Sequence, residues 1–115
     1  MESLITKLSQ YQETVQQLLL TYAVSKPAYG DIEVETIFDL QRNHYQIVHL
    51  GWHHDRWIHH CVMHLAIRNE KVWIFRNSTE HDIAADLVEL GVPKQDIVLG
   101  FHPPFLRQFS DYAVE

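Results

Sequence analysis

Leu4, Ile5, Leu8, Tyr11, Val15, Leu18, Leu19 and Tyr22 recur at steps of three and four residues, the stripe of an amphipathic helix. Pro27 disfavours a helical residue before it, so the helix is expected to end near Ser25, with "AYGD" following as a loop. From residue 32 the period drops to two. In "IEVETIFDL" Val34, Thr36, Phe38 and Leu40 share one face, with Glu33, Glu35 and Asp39 on the other, which predicts a half-buried strand. "QRNH" then reads as a turn, "YQIVHLGW" as a second strand, "HHDR" as a turn and "WIHHCVMHLAI" as a long third strand. "RNEK" closes a hairpin onto "VWIF". Links this short require antiparallel neighbours, hence a meander.

The period returns to that of a helix in "NSTEHDIAADLVELGVP". Ser78 or Thr79 is placed to cap it, with Glu80 and Asp82 in the favourable first turn. Ile83, Leu87 and Leu90, with Ala84 and Val88, form the buried stripe. Gly91 suits the left-handed residue after the last turn, and Pro93 stops continuation. "DIVLGF" is expected to be a short strand, "HPP" a rigid loop, and "FLRQFSDY" a helical turn or two. The predicted fold is a single α+β domain over residues 1–115. It is an antiparallel β-meander of about four to five strands packed against an N-terminal helix and a second, central helix.

Composition narrows the class. Apolar residues are 46% of the 115 and charged residues 21%, enough for a packed core and unlike a disordered chain. The longest apolar run falls far short of the roughly 20 residues of a membrane span. The N-terminus lacks the signal-peptide pattern and Cys61 has no cysteine to pair with, so a cytoplasmic location is expected.

The formal charge of -6 is uneven. Residues 31–40 carry Asp31, Glu33, Glu35 and Asp39, while residues 41–76 hold five basic groups against Asp55 and Glu70. Residues 77–115 set Lys94 and Arg107 against seven acids. Attraction to phosphate needs a basic face, and only the middle third supplies a modest one. Autonomous DNA binding is disfavoured.

The segment "GWHHDRWIHHCVMH" (51–64) is the most chemically loaded part of the chain. Alternation puts His60, Val62 and His64 on one face and His59, Cys61, Met63 and Leu65 on the other. His60 and His64 then stand about 13 Å apart, too far to share an ion whose ligands lie near 2 Å. No C-x-x-C or H-E-x-x-H spacing occurs, so neither a metal nor a cofactor is expected. Cys61, mid-strand, reads as a small core residue rather than a nucleophile. Glu33 and Glu35 read as a solvated strand face, and no glycine-rich phosphate loop exists, so no enzyme is expected. Trp52, Trp57, Trp73, Tyr45 and Phe75 would suit a nucleic-acid stacking platform. With only Arg56 and Arg76 adjacent, cross-strand packing under a helix is the better reading.

The run from Cys61 onward is more specific. "CVMHLAI", "KVWI" and "TEHDIAADLVELGVPKQDIVLGFHPP" resemble the XisI family, the fdxN element excision controlling factors of cyanobacteria. "YQIVHLGW" and the N-terminal helix fit too, so the resemblance covers essentially the whole chain. It departs where His60 stands in place of a small residue, where Asn77 and Ser78 replace an Asp-Gly pair, and where Phe105 replaces an acidic residue. His64 and His102 match family positions.

The resemblance implies an accessory role in excising a DNA element, with a separate recombinase exchanging the strands. It also implies a XisH-type, nuclease-like protein as neighbour. With the acid balance, the expected function is a non-catalytic regulator docking on a nuclease-like or recombinase partner. Direct nucleic-acid binding and a His-rich, metal-dependent enzyme are the alternatives. Thr79, Glu80, His102 and Arg107 are the candidate partner-binding residues. Thr79 and Glu80 are also readable as helix cap and dipole partner, and Arg107 as pairing with Asp111 across one turn. The unpaired meander edge and the aromatic patch make a homodimer an expectation as well.

Overall fold

The computed structural model describes residues 6–24, 27 and 30–115. Its first helix, α1, spans Lys7–Ala23. Thr6 caps it reciprocally with Ser9, each side chain bonded to the other's backbone N–H. Tyr11, Val15, Leu18 and Leu19 are buried as the stripe requires, whereas Leu8 is 39% exposed. Leu4, Ile5 and the expected end at Ser25 lie outside the described residues, as do Ala28 and Tyr29 of the loop.

Four strands follow as a meander: β1 (Asp31–Asp39), β2 (His44–His53), β3 (Arg56–Arg68) and β4 (Lys71–Asn77). Leu40, expected on β1, falls in the turn and is 49% exposed. At the β3–β4 turn both Asn69 and Glu70 have positive φ, 52° and 61°, the requirement of the two-residue turn whose twist matches the strands. Gly51 has φ 148°, and a Cβ there would lie 2.0 Å from the Asp31 carbonyl oxygen. Only glycine lets β1 approach β2 this closely.

A second helix, α2 (Ile83–Glu89), leads through a 3-10 turn at Lys94–Asp96 to β5 (Ile97–Leu99). β5 pairs with β4 in parallel, Trp73 opposite Val98; a parallel neighbour needs a crossover, which α2 supplies. A short α3 (Pro104–Arg107) follows, and Ala113 then bridges the outer side of β5, its N–H donating to the Ile97 carbonyl at 2.8 Å.

α1 and α2 cover one sheet face. There Tyr11, Val15 and Leu19 meet Tyr45, Ile47, Met63 and Leu65, joined by Ile83, Leu87 and Ile97. α2 corrects three expectations. Its cap is Asp82, whose carboxylate accepts from the Ala85 N–H at 3.1 Å, so neither Ser78 nor Thr79 caps it and Glu80 precedes the helix. Leu90 is 53% exposed, because the helix ends before the stripe completes its next turn.

The long third strand corrects a fourth. Ile47 pairs with Met63 but Val48 with Cys61, so Val62 is an extra residue. Such a bulge reverses the alternation beyond it. His60 therefore shares the helix-covered face with Met63 and Leu65, and its ring lies 5.5 Å from that of His49. His64 shares the other face with Cys61. The two histidines expected on one face point to opposite sides of the sheet.

Candidate functional site

Sequence between β4 and α2 builds a knot of side-chain to main-chain bonds. Asn77 Oδ1 accepts from the Thr79 N–H at 2.9 Å and from the Thr79 hydroxyl at 2.6 Å, while Nδ2 donates to the His81 carbonyl at 2.7 Å. Thr79 Oγ1 in turn accepts from the His81 N–H at 3.2 Å. An aspartate, expected here from the resemblance, could not donate to His81; the amide does both. The knot holds Thr79, Glu80 and His81 at the side of a groove of about 360 Å³, whose remaining walls include Tyr22, Pro27, His49 and Met63. The His81 ring lies 4.9 Å from that of Tyr22.

Tyr22 also borders a second groove, about 370 Å³, between α1 and α2, with Leu18, Asp86, Glu89 and Leu90. The Tyr22 hydroxyl donates to the Asp86 carboxylate; burial and then this bond raise its pKa to about 12. The two grooves thus share one wall. Their floors are apolar and their rims carry Glu80, Asp86 and Glu89. Of these acids, Glu80 and Glu89 are exposed, and neither forms a salt bridge among the described residues.

His102 and Arg107 lie elsewhere. The His102 N–H donates to the Leu99 carbonyl at 3.1 Å as the chain leaves β5. Arg107 Nε donates to the His102 carbonyl at 3.0 Å and Nη1 to the Val114 carbonyl at 3.3 Å, with the guanidinium 5.2 Å from the Trp73 ring centre. It makes no salt bridge with Asp111. Arg107 thus braces the His-Pro-Pro loop against the C-terminal segment, on the sheet face opposite α1. The structure brings Thr79 and Glu80 together on the groove and keeps His102 and Arg107 apart from them.

The other candidate chemistry disperses. Among the described residues no group of three or more His, Cys, Asp or Glu side chains could hold a metal ion. Cys61 is half-buried, and burial pushes its thiol pKa up, against weaker opposing effects of its bond to Met63 and of Arg76. Of the aromatic set, Tyr45 is fully buried on the helix-covered face. Trp52 and Trp57 form a cross-strand pair, rings 5.3 Å apart, but it is about half exposed rather than under a helix. No described helix is long and apolar enough to cross a membrane.

His49, Asp86 and Glu89 were not singled out by the sequence, and Tyr22 was named only as part of the α1 stripe. The acids at 82, 86 and 89, at steps of four and three, carry a signal of one helix edge. The Tyr22–Asp86 bond joins residues 64 apart and has no local signal.

Residues 5–114 match the family model described as XisI protein. A XisI-like protein from Anabaena variabilis superposes with a TM-score of 0.89 at 44% identity, covering 94% of this chain and 99% of that one. The fdxN element excision controlling factor XisI from the same organism superposes with a TM-score of 0.84 at 32% identity, covering 96% and 100%. No curated protein matches this chain. A family match over nearly the whole length, two close structural relatives and the β4–α2–β5 motif agree: this chain belongs to the XisI family.

Proposed function

We propose that the chain is a non-catalytic accessory factor for excision or processing of a DNA element, acting by docking on a nuclease-like (XisH-type) or recombinase partner. Its relative named as an excision controlling factor supports the role. The observation that carries the docking is the paired groove between α1, α2 and the sheet, apolar beneath and rimmed by Glu80, Asp86 and Glu89. A basic amphipathic segment of the partner fits this chemistry: its apolar side takes the floor, and its Lys or Arg residues meet the rim. Thr79 and the Asn77 knot keep Glu80 in place. His102, on the braced loop, offers a second and separate contact edge.

The test is capture of partners from the native cytoplasm with nuclease added, followed by mass spectrometry. The expected result is retention of a DNA-processing protein, cut at least tenfold by Glu80→Lys with Glu89→Lys. Capture that vanishes on nuclease treatment, together with a gel shift at low salt, would instead favour direct nucleic-acid binding.

A further inference from the structure

Among the described residues, the sheet face opposite α1 and α2 is covered only at its β4–β5 side, where Arg107 of α3 lies over Trp73. Strand register places Asp31, Glu33 and Glu35 of β1 on this face. Beside them are Trp52, Leu50 and Val48 of β2, and then Trp57, His59 and Cys61 of β3. Trp52 and Trp57 are 53% and 52% exposed, and the Trp57 and His59 rings are nearly parallel, at 10°. The three acids form no salt bridge among the described residues.

Across the same face stand two arginines. Arg76 spends its Nε on the Cys61 carbonyl, at 2.7 Å, and Arg68 lies 4.9 Å from the Phe75 ring centre. Neither forms a salt bridge among the described residues. One face thus has an anionic side, an aromatic and aliphatic middle and a cationic side, with neither charged side in a salt bridge among the described residues.

We propose that this face joins two copies of the chain back to back, about a two-fold axis that runs along the strands between β2 and β3. Charge selects the axis. Turning one sheet about an in-plane axis across the strands lays β1 on β1 and sets acid on acid. Turning it about an axis along the strands lays β1 on β4 and β2 on β3. Arg76 is level with His64, Gln46 and Ile37, so it arrives over Ile37 of the other copy, two residues along the same face from Glu35, twice in the dimer. The same rotation keeps hairpin tip over hairpin tip, placing Trp52 of each copy over Trp57 of the other. Four strands of about ten residues present about 600 Å² per copy, near the lower bound for a specific pair. The partner groove lies on the opposite face, so this dimer does not depend on the docking described above.

Sedimentation equilibrium of the full chain tests the proposal. The expected species at tens of micromolar has twice the 13.6 kDa chain mass. Glu35→Arg and Arg76→Glu should each weaken self-association at least tenfold. Their equimolar mixture should recover it to within about threefold, because arginine at 35 then faces glutamate at 76 and Arg76 faces Glu35. A monomer at 100 micromolar, or a dimer indifferent to both swaps, overturns the proposal. If a swap fails to fold, dilution of the unaltered chain serves: dissociation must shift tryptophan emission to the red, and a dimer that separates without this shift overturns it too.

Discussion

His49 and His64 are half-buried on opposite faces of the sheet, and both pKa values lie below the ordinary 6.5. Burial is the main cause, assisted by His60 beside the first and by His44 and Arg68 beside the second. A histidine that resists protonation when folded leaves the unfolded chain holding more protons between the lowered value and 6.5. Stability is therefore full above 6.5 and falls as pH drops through that window. Thermal melts between pH 7.5 and 5.5 should show a falling Tm, and the double variant His49→Gln, His64→Gln should flatten it. Asp96 works a lower window. Burial alone would push its pKa up, but hydrogen bonds from Lys7 and Tyr11 outweigh this and hold the carboxylate below its ordinary value. Its contribution is present above about 3.8 and lost as pH falls through the folded value.

At the scale of elements, the β3–β4 turn is built against local preference. Glu70 holds φ 61°, a conformation that costs a residue with a Cβ roughly 1–2 kcal/mol. Glu70→Gly creates the Asn-Gly pair that this turn favours and should raise stability by about 1 kcal/mol, read by urea denaturation. The four meander strands and both longer helices were legible because their apolar periods are strong over many residues, whereas β5, three residues long, was marked only by a short apolar run between Asp96 and Gly100. What escaped was set by contacts between elements. The Val62 bulge reversed the histidine faces, since a single extra residue leaves no mark on a run that is apolar on both sides, as Cys61, Val62 and Met63 are. The Asp82 cap escaped because Ser78 and Thr79 are equally good caps by type; Asn77 claims Thr79 for a different turn. The groove was half legible: Thr79 and Glu80 could be named from a motif, while Tyr22 and Asp86 meet only in the fold.

For the whole molecule, the short parallel strand is the part most dependent on distant support. β5 has three residues, and its outer side is closed by the segment that Arg107 ties to His102, Val114 and Trp73. Arg107→Ala should lower global stability by about 1–3 kcal/mol and speed amide exchange at Ala113 ahead of the core. Arg107→Lys should not restore protection, since an ammonium cannot reach two carbonyls and stack on the indole at once.

The other margin of the sheet has no such cover. Among the described residues nothing pairs with the outer side of β1, nine residues of extended backbone with free donors and acceptors, the kind of border along which chains add one to another without limit. Asp31, Glu33 and Glu35 recur there at every second position. A second β1 laid alongside would bring two rows of carboxylates within one strand spacing, about 4.8 Å. The acidic strand thus acts as a gatekeeper against fibrous growth, and neutral residues at those three sites would remove the repulsion that keeps the edge from seeding aggregates.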